Sequence, residues 1–207
     1  MKTIAIDKIN QRKKTSKLSS MKYVLIAFTL LFFLPLLYLE QYYNFNGTIS
    51  STNLSEEIYI SMSKKDNRIK AYNRAITLNN GSSANSCVYF LSEVLRMNDV
   101  KIADNVCNTT QILDIMRNEG FKKERDYKKL KRGDIVFTTD AALNSYGTPT
   151  HTYIFMGWEK EGQYDYAYIC DNQATDYDGN IYHLRNIVNL ETKDGNTKEP
   201  FGFFMYK

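Results

Sequence analysis

Histidine, cysteine, tryptophan and proline are all scarce in this chain of 207 residues, which holds two, three, one and three of them. Each scarcity excludes something. Three thiols are too few for a disulfide-built scaffold, and no Cys or His stands at the spacing of a zinc finger. The ten glycines form no phosphate-cradling loop, and no internal repeat is visible. Asp171, Asp176, Asp178 and Asn180 suggest a calcium loop only loosely, because their spacing departs from D-x-[DN]-x-[DN]-G and fits a solvated turn better. No metal and no cofactor are expected.

The formal net charge is +4, yet it is unevenly placed. Residues 1–22 carry seven of the 27 basic side chains and only Asp7 of the 23 acidic ones, which leaves 20 basic and 22 acidic for residues 23–207. The excess belongs to the tail, so a nucleic-acid partner is not expected of the rest. One long uncharged run follows, Tyr23 to Leu39, at the short end of what spans a bilayer. Basic residues before it and Glu40 after it predict a cytoplasmic tail over 1–22, a membrane anchor over 23–39 and an extracellular C-terminal part. A cleavable signal peptide, giving a secreted form, shares these features, but Leu-Glu-Gln-Tyr-Tyr offers no small-residue cleavage site. Residues 40–56, rich in Asn, Ser, Thr and Gly, read as a linker, and 57–207 as one folded domain. The oligomeric state stays open.

Within that domain helices come first. The pattern predicts a helix over 67–78 ended by Asn79-Asn80-Gly81, a second over 86–97 and a third over 110–119 with Asn108 or Thr109 as N-cap. In the second, Cys87, Phe90, Leu91, Val94 and Leu95 share one stripe. Strand character follows at 134–139, 152–158, 166–170, 181–184 and 201–206, with turns at Glu161-Gly162 and Asp178-Gly179. Helices followed by an antiparallel sheet make an α+β domain.

Three cysteines in an exported domain leave at least one free thiol. Cys107 and Cys170 could pair, but Cys87 opens a helix, where backbone dipoles favour the thiolate that a nucleophile needs. A Cys on an apolar stripe is ordinarily a small core residue, so its position alone does not decide. His151 stands where a loop hands over to a strand, and the only other histidine, His183, lies mid-strand. A hairpin centred on Glu161-Gly162 sets position 172 opposite 151, so Asn172 or Asp171 would accept the imidazole N–H. A slip of one residue exchanges the faces of these two.

The segments Asn85-Ser86-Cys87-Val88-Tyr89-Phe90-Leu91, Leu130-Lys131-Arg132-Gly133-Asp134-Ile135-Val136-Phe137 and His151-Thr152-Tyr153-Ile154-Phe155 occur in an order that resembles the NlpC-type and CHAP-type cell-wall hydrolases. CHAP denotes cysteine, histidine-dependent amidohydrolases and peptidases. The resemblance spans roughly residues 67–206. It implies a papain-like fold and hydrolysis of an amide bond in peptidoglycan peptides. Cys87 would be the nucleophile, His151 the base, and Asp171 or Asn172 the third residue. Arg132 departs from the proline common at that point in these families. For the oxyanion, the Cys87 N–H is available, with Ser82 or Asn85 as candidate helpers. A catalytically silent module that binds wall or a partner protein, or a thiol hydrolase of another amide, are the alternatives.

Overall fold

A computed structural model of the protein describes residues 53–207 and, upstream of them, Pro35. The basic tail, the remainder of the apolar run and linker residues 40–52 lie outside the described residues. Among the described residues no helix is long and apolar enough to cross a membrane.

Four α-helices come first: α1 (Leu54–Ser63), α2 (Lys65–Leu78), α3 (Cys87–Arg96) and α4 (Thr109–Asn118). The strands are β1 (Lys122–Glu124), β2 (Ile135–Thr138), β3 (Thr152–Trp158), β4 (Tyr166–Cys170), β5 (Tyr182–Asn186), β6 (Glu191–Lys193), β7 (Asn196–Lys198) and β8 (Phe201–Tyr206). Six form an antiparallel sheet in the order β1-β8-β2-β3-β4-β5, and β6 pairs with β7 as a separate hairpin. The domain is therefore α+β.

The helices start and stop for local reasons. Asn53 accepts the Ser55 N–H and caps α1, so Leu54, Ser55 and Glu56, expected in the linker, are helical. Ile58 and Met62, one turn apart, bury that helix against the core. Asn108 caps α4 and exchanges bonds with Gln111 in a capping box. In α3 the apolar stripe of Phe90, Leu91, Val94 and Leu95 packs on one face of the sheet, against Ile135, Phe137, Ile154, Met156, Phe203 and Met205. Each such side chain, fully buried, contributes about 1.5–3 kcal/mol. The opposite face carries Val136, Tyr153, Phe155, Ile169 and Phe204 under Leu130 and Ile187.

The pairing of β3 with β4 differs from the simple hairpin. Trp158 and Gly157 pair with Ala167 and Tyr168, whereas Phe155 and Ile154 pair with Ile169 and Cys170, so Met156 is an extra residue. Gly157 accepts this bulge with φ +143°, a conformation that side chains disfavour. Beyond the bulge the register runs so that Asn172 would face Thr152 rather than His151. Asp171 then lies on the sheet face of His151, where an unbulged continuation would have set Asn172. One inserted residue decides which polar side chain meets the imidazole.

The start of β2 is held by Gly133, whose N–H donates to Phe155 O at 2.7 Å. Its φ is +88°, and a Cβ there would stand 1.6 Å from the Ser55 carbonyl oxygen in α1. Gly133→Ala should therefore cost at least about 3 kcal/mol of stability, read from the denaturant midpoint. An unchanged midpoint would contradict the close approach of α1 to this turn.

Candidate active site

Cys87 is the first residue of α3, and 9% of it is exposed. The preceding N-cap residue, Ser86, makes no side-chain cap bond. Its hydroxyl instead donates to Ser83 O at 2.8 Å and accepts from Asn172 Nδ2 at 3.1 Å. The first-turn N–H groups of α3, which no helix satisfies internally, are thus left without a capping side chain beside the thiol.

His151 directly precedes β3 and is also buried. Its backbone N–H donates to Thr138 Oγ1 at 3.0 Å, and its carbonyl accepts the Thr138 N–H at 3.1 Å. Thr109, at the start of α4, donates its hydroxyl to Pro149 O at 3.0 Å and ties down the loop that leads into His151. The ring is fixed from its far side, where Nε2–H donates to Asp171 Oδ2 at 2.8 Å. An ionised carboxylate only accepts, so the proton belongs on Nε2 and leaves Nδ1 unprotonated, while the nearby Cys87 thiol favours the charged form of the ring.

Asp171 has no exposed surface. Its second oxygen accepts the Gln173 N–H at 2.8 Å. Burial works against its charge, but the His151 hydrogen bond and the fields of His183, His151 and Arg185 outweigh that and hold the carboxyl at about 2. Burial likewise opposes a charge on His151, yet Asp171 and Cys87 together raise its pKa above the ordinary histidine value. His183 differs. Its Nε2 lies 3.9 Å from Asp171 Oδ1 and its Nδ1–H donates to Asn180 O at 3.0 Å, while burial lowers its pKa. It stacks on Tyr177, with ring centroids 3.5 Å apart.

A cavity of about 450 Å³ opens over these groups. Cys87, His151, Asn172 and Asn85 line it. Asn85 adopts φ +55°, which asparagine tolerates better than most residues. Asn172 is not the partner of His151. Its amide donates to Ser83 O at 2.9 Å and to Ser86 Oγ, bracing the turn that precedes the thiol. Ser82 is not brought to the cavity: it is exposed, and its hydroxyl accepts the Ala84 N–H within the turn after α2. All three cysteines are free. Cys107 is exposed and lines the cavity, while Cys170 is buried, and burial pushes its thiol far up. Among the described residues no group of three or more His, Cys, Asp or Glu is arranged to hold a metal ion. Asp176, considered above for a calcium loop, is paired with Lys198 at 2.5 Å.

Sequence reasoning overlooked several residues around the site. Gln173, Lys198 and Glu199 line the cavity, and Arg185, 2% exposed, acts on the Asp171 carboxylate. The Asp194-Gly195 turn, flanked by Thr192 and Thr197, was the signal that could have revealed the hairpin to which Lys198 belongs. In the comparisons with known proteins, no family model, no curated protein and no solved structure matches this chain.

Because the Asp171 carboxyl titrates lower in the folded than in the unfolded chain, its stabilisation is complete above about pH 4 and is lost as pH falls toward 2. Replacing Asp171→Asn should lower stability at pH 7 by about 2–3 kcal/mol and flatten this acid limb in denaturation midpoints taken from pH 2 to 7. An acid limb as steep as in the parent chain would show that Asp171 is not the group responsible.

Proposed function

We propose that this protein is a thiol hydrolase of the papain-like type, similar to the NlpC and CHAP cell-wall enzymes, that cleaves an amide bond in peptidoglycan peptides. The observation that carries the reading is that Cys87 and His151 line one cavity while the buried Asp171 carboxylate holds the imidazole by its Nε2. A helix that begins at the thiol and packs on an antiparallel sheet, one of whose strands begins just after the histidine, supports a papain-like architecture.

In this mechanism the Cys87 proton passes to His151 Nδ1, and the sulfur attacks the substrate carbonyl carbon. The oxygen that gains charge is stabilised by the uncapped N–H groups at the head of α3. The imidazolium then gives its proton to the leaving amine as the C–N bond breaks. A thioester remains on Cys87. Water, deprotonated by His151, hydrolyses it and restores the thiol. Asp171 keeps the proton on Nε2 throughout and stabilises the imidazolium, and Asn172 holds the turn that aims the thiol. No cofactor takes part.

The domain would work outside the cell, held by residues 23–39 with its basic tail in the cytoplasm. The charge distribution around the apolar run supports this topology.

Purified full-length protein should release peptides from isolated cell wall, and Cys87→Ala should lower that rate by at least about 10³-fold, as loss of a nucleophile does in such sites. Cys107→Ala should retain release. Equal release by Cys87→Ala and the parent chain, measured by mass analysis of the soluble products, would remove the thiol from the reaction.

A further inference from the structure

The charged groups that line the cavity do not balance. Cys87 faces His151, and proton transfer between them leaves their sum unchanged. Asp176 is neutralised by Lys198 at 2.5 Å and also accepts Asn196 Nδ2 at 3.1 Å. Lys198 is 1% exposed, so its ammonium is committed to that pair. Glu199 remains. Among the described residues its carboxylate has no hydrogen bond and no ion pair, although it lines the cavity and is only partly buried.

The main chain that carries this carboxylate is fixed. Glu199 O accepts Arg185 Nη2 at 2.7 Å, and Pro200 O accepts the Thr139 N–H at 2.9 Å. The N–H of Phe201 donates to Ile187 O at 2.7 Å, and Pro200 has a locked φ. Arg185, itself buried, joins this rim to the layer around Asp171. Asp171 behind His151 is set against the Arg185 guanidinium, so Glu199 leaves one uncompensated negative charge on the cavity wall, which attracts a cation and repels a carboxylate. A cavity of about 450 Å³ is of small-ligand size, so a group held at Glu199 belongs to the same substrate whose amide reaches Cys87.

We propose that Glu199 is a specificity-determining residue that receives a primary ammonium group, so that the peptide accepted carries an unblocked amine in the cavity together with its scissile amide. The proposal rests on the thiol hydrolase reading for the meaning of the amide but not for the binding of the amine. An ammonium–carboxylate contact in a partly enclosed site is charge-assisted and corresponds to about tenfold to hundredfold in selectivity.

The test uses the full-length chain and two probes: a wall stem tetrapeptide with its amines free, and the same peptide with every amine acetylated. The parent chain should prefer the free-amine form in kcat/KM by about tenfold to hundredfold. Glu199→Gln should bring the ratio near one, and Glu199→Lys should invert it. Affinities of the two peptides for Cys87→Ala, measured by calorimetry, give a readout independent of turnover. Tighter binding of the free amine without turnover by the parent chain would keep the subsite and overturn the hydrolase reading. Equal affinities, no binding of either peptide, or a preference that survives Glu199→Gln would overturn the subsite.

Discussion

The structure around the cavity depends on one buried anion. Asp171 is wholly removed from water, and an isolated carboxylate so placed would take up a proton rather than stay charged. It remains ionised because His151 and the Gln173 N–H bond its two oxygens while Arg185 and His183 surround it. The same bond fixes which nitrogen of His151 carries the proton. Everything nearer the thiol follows from that choice.

Sheet geometry and side-chain chemistry are therefore linked. The bulge at Met156 brings Asp171, not Asn172, onto the face of His151, and Gly157 permits the bulge. Asn172 is then free to reach the opposite way and hold Ser83 and Ser86. That contact draws the Ser86 hydroxyl away from capping α3, so the head of the helix stays open beside Cys87. A single extra residue in β3 thus assigns two adjacent polar residues to two different tasks. Beneath them, Arg185 lies with its Nε and Nη1 without partners among the described residues, 5.3 Å from the Tyr153 ring centre. Such a buried cation stabilises a neighbouring anion more than it would in water.

Much of this was legible from residues. Helix α3 shows a clear stripe, α4 a capping pair at Asn108 and Gln111, and β3, β4 and β8 dense runs of aromatic and β-branched residues. Helix α1 was hidden because Asn53 and Ser55 continue a polar stretch, although Ile58 and Met62 carry helical spacing. Strand β1 is Lys-Lys-Glu on the sheet edge, and β6 and β7 are three polar residues each, so no apolar alternation marks them. The choice between Asp171 and Asn172 could not be read, since a bulge changes register without a distinctive sequence beyond Met156-Gly157. Burial of Arg185 and Lys198 was equally invisible. It arises from what the chain folds around them, not from their neighbours in sequence.

The site depends on a tautomer that Asp171 imposes and Cys87 uses. It is measured most directly by ¹⁵N NMR of the His151 ring across pH in the labelled full-length chain. Nε2 should stay protonated over the whole range while Nδ1 alone titrates, with a midpoint above the ordinary histidine value that falls in Cys87→Ala. Titration at Nε2, or a midpoint indifferent to the loss of the thiol, would contradict the pairing on which the site is built.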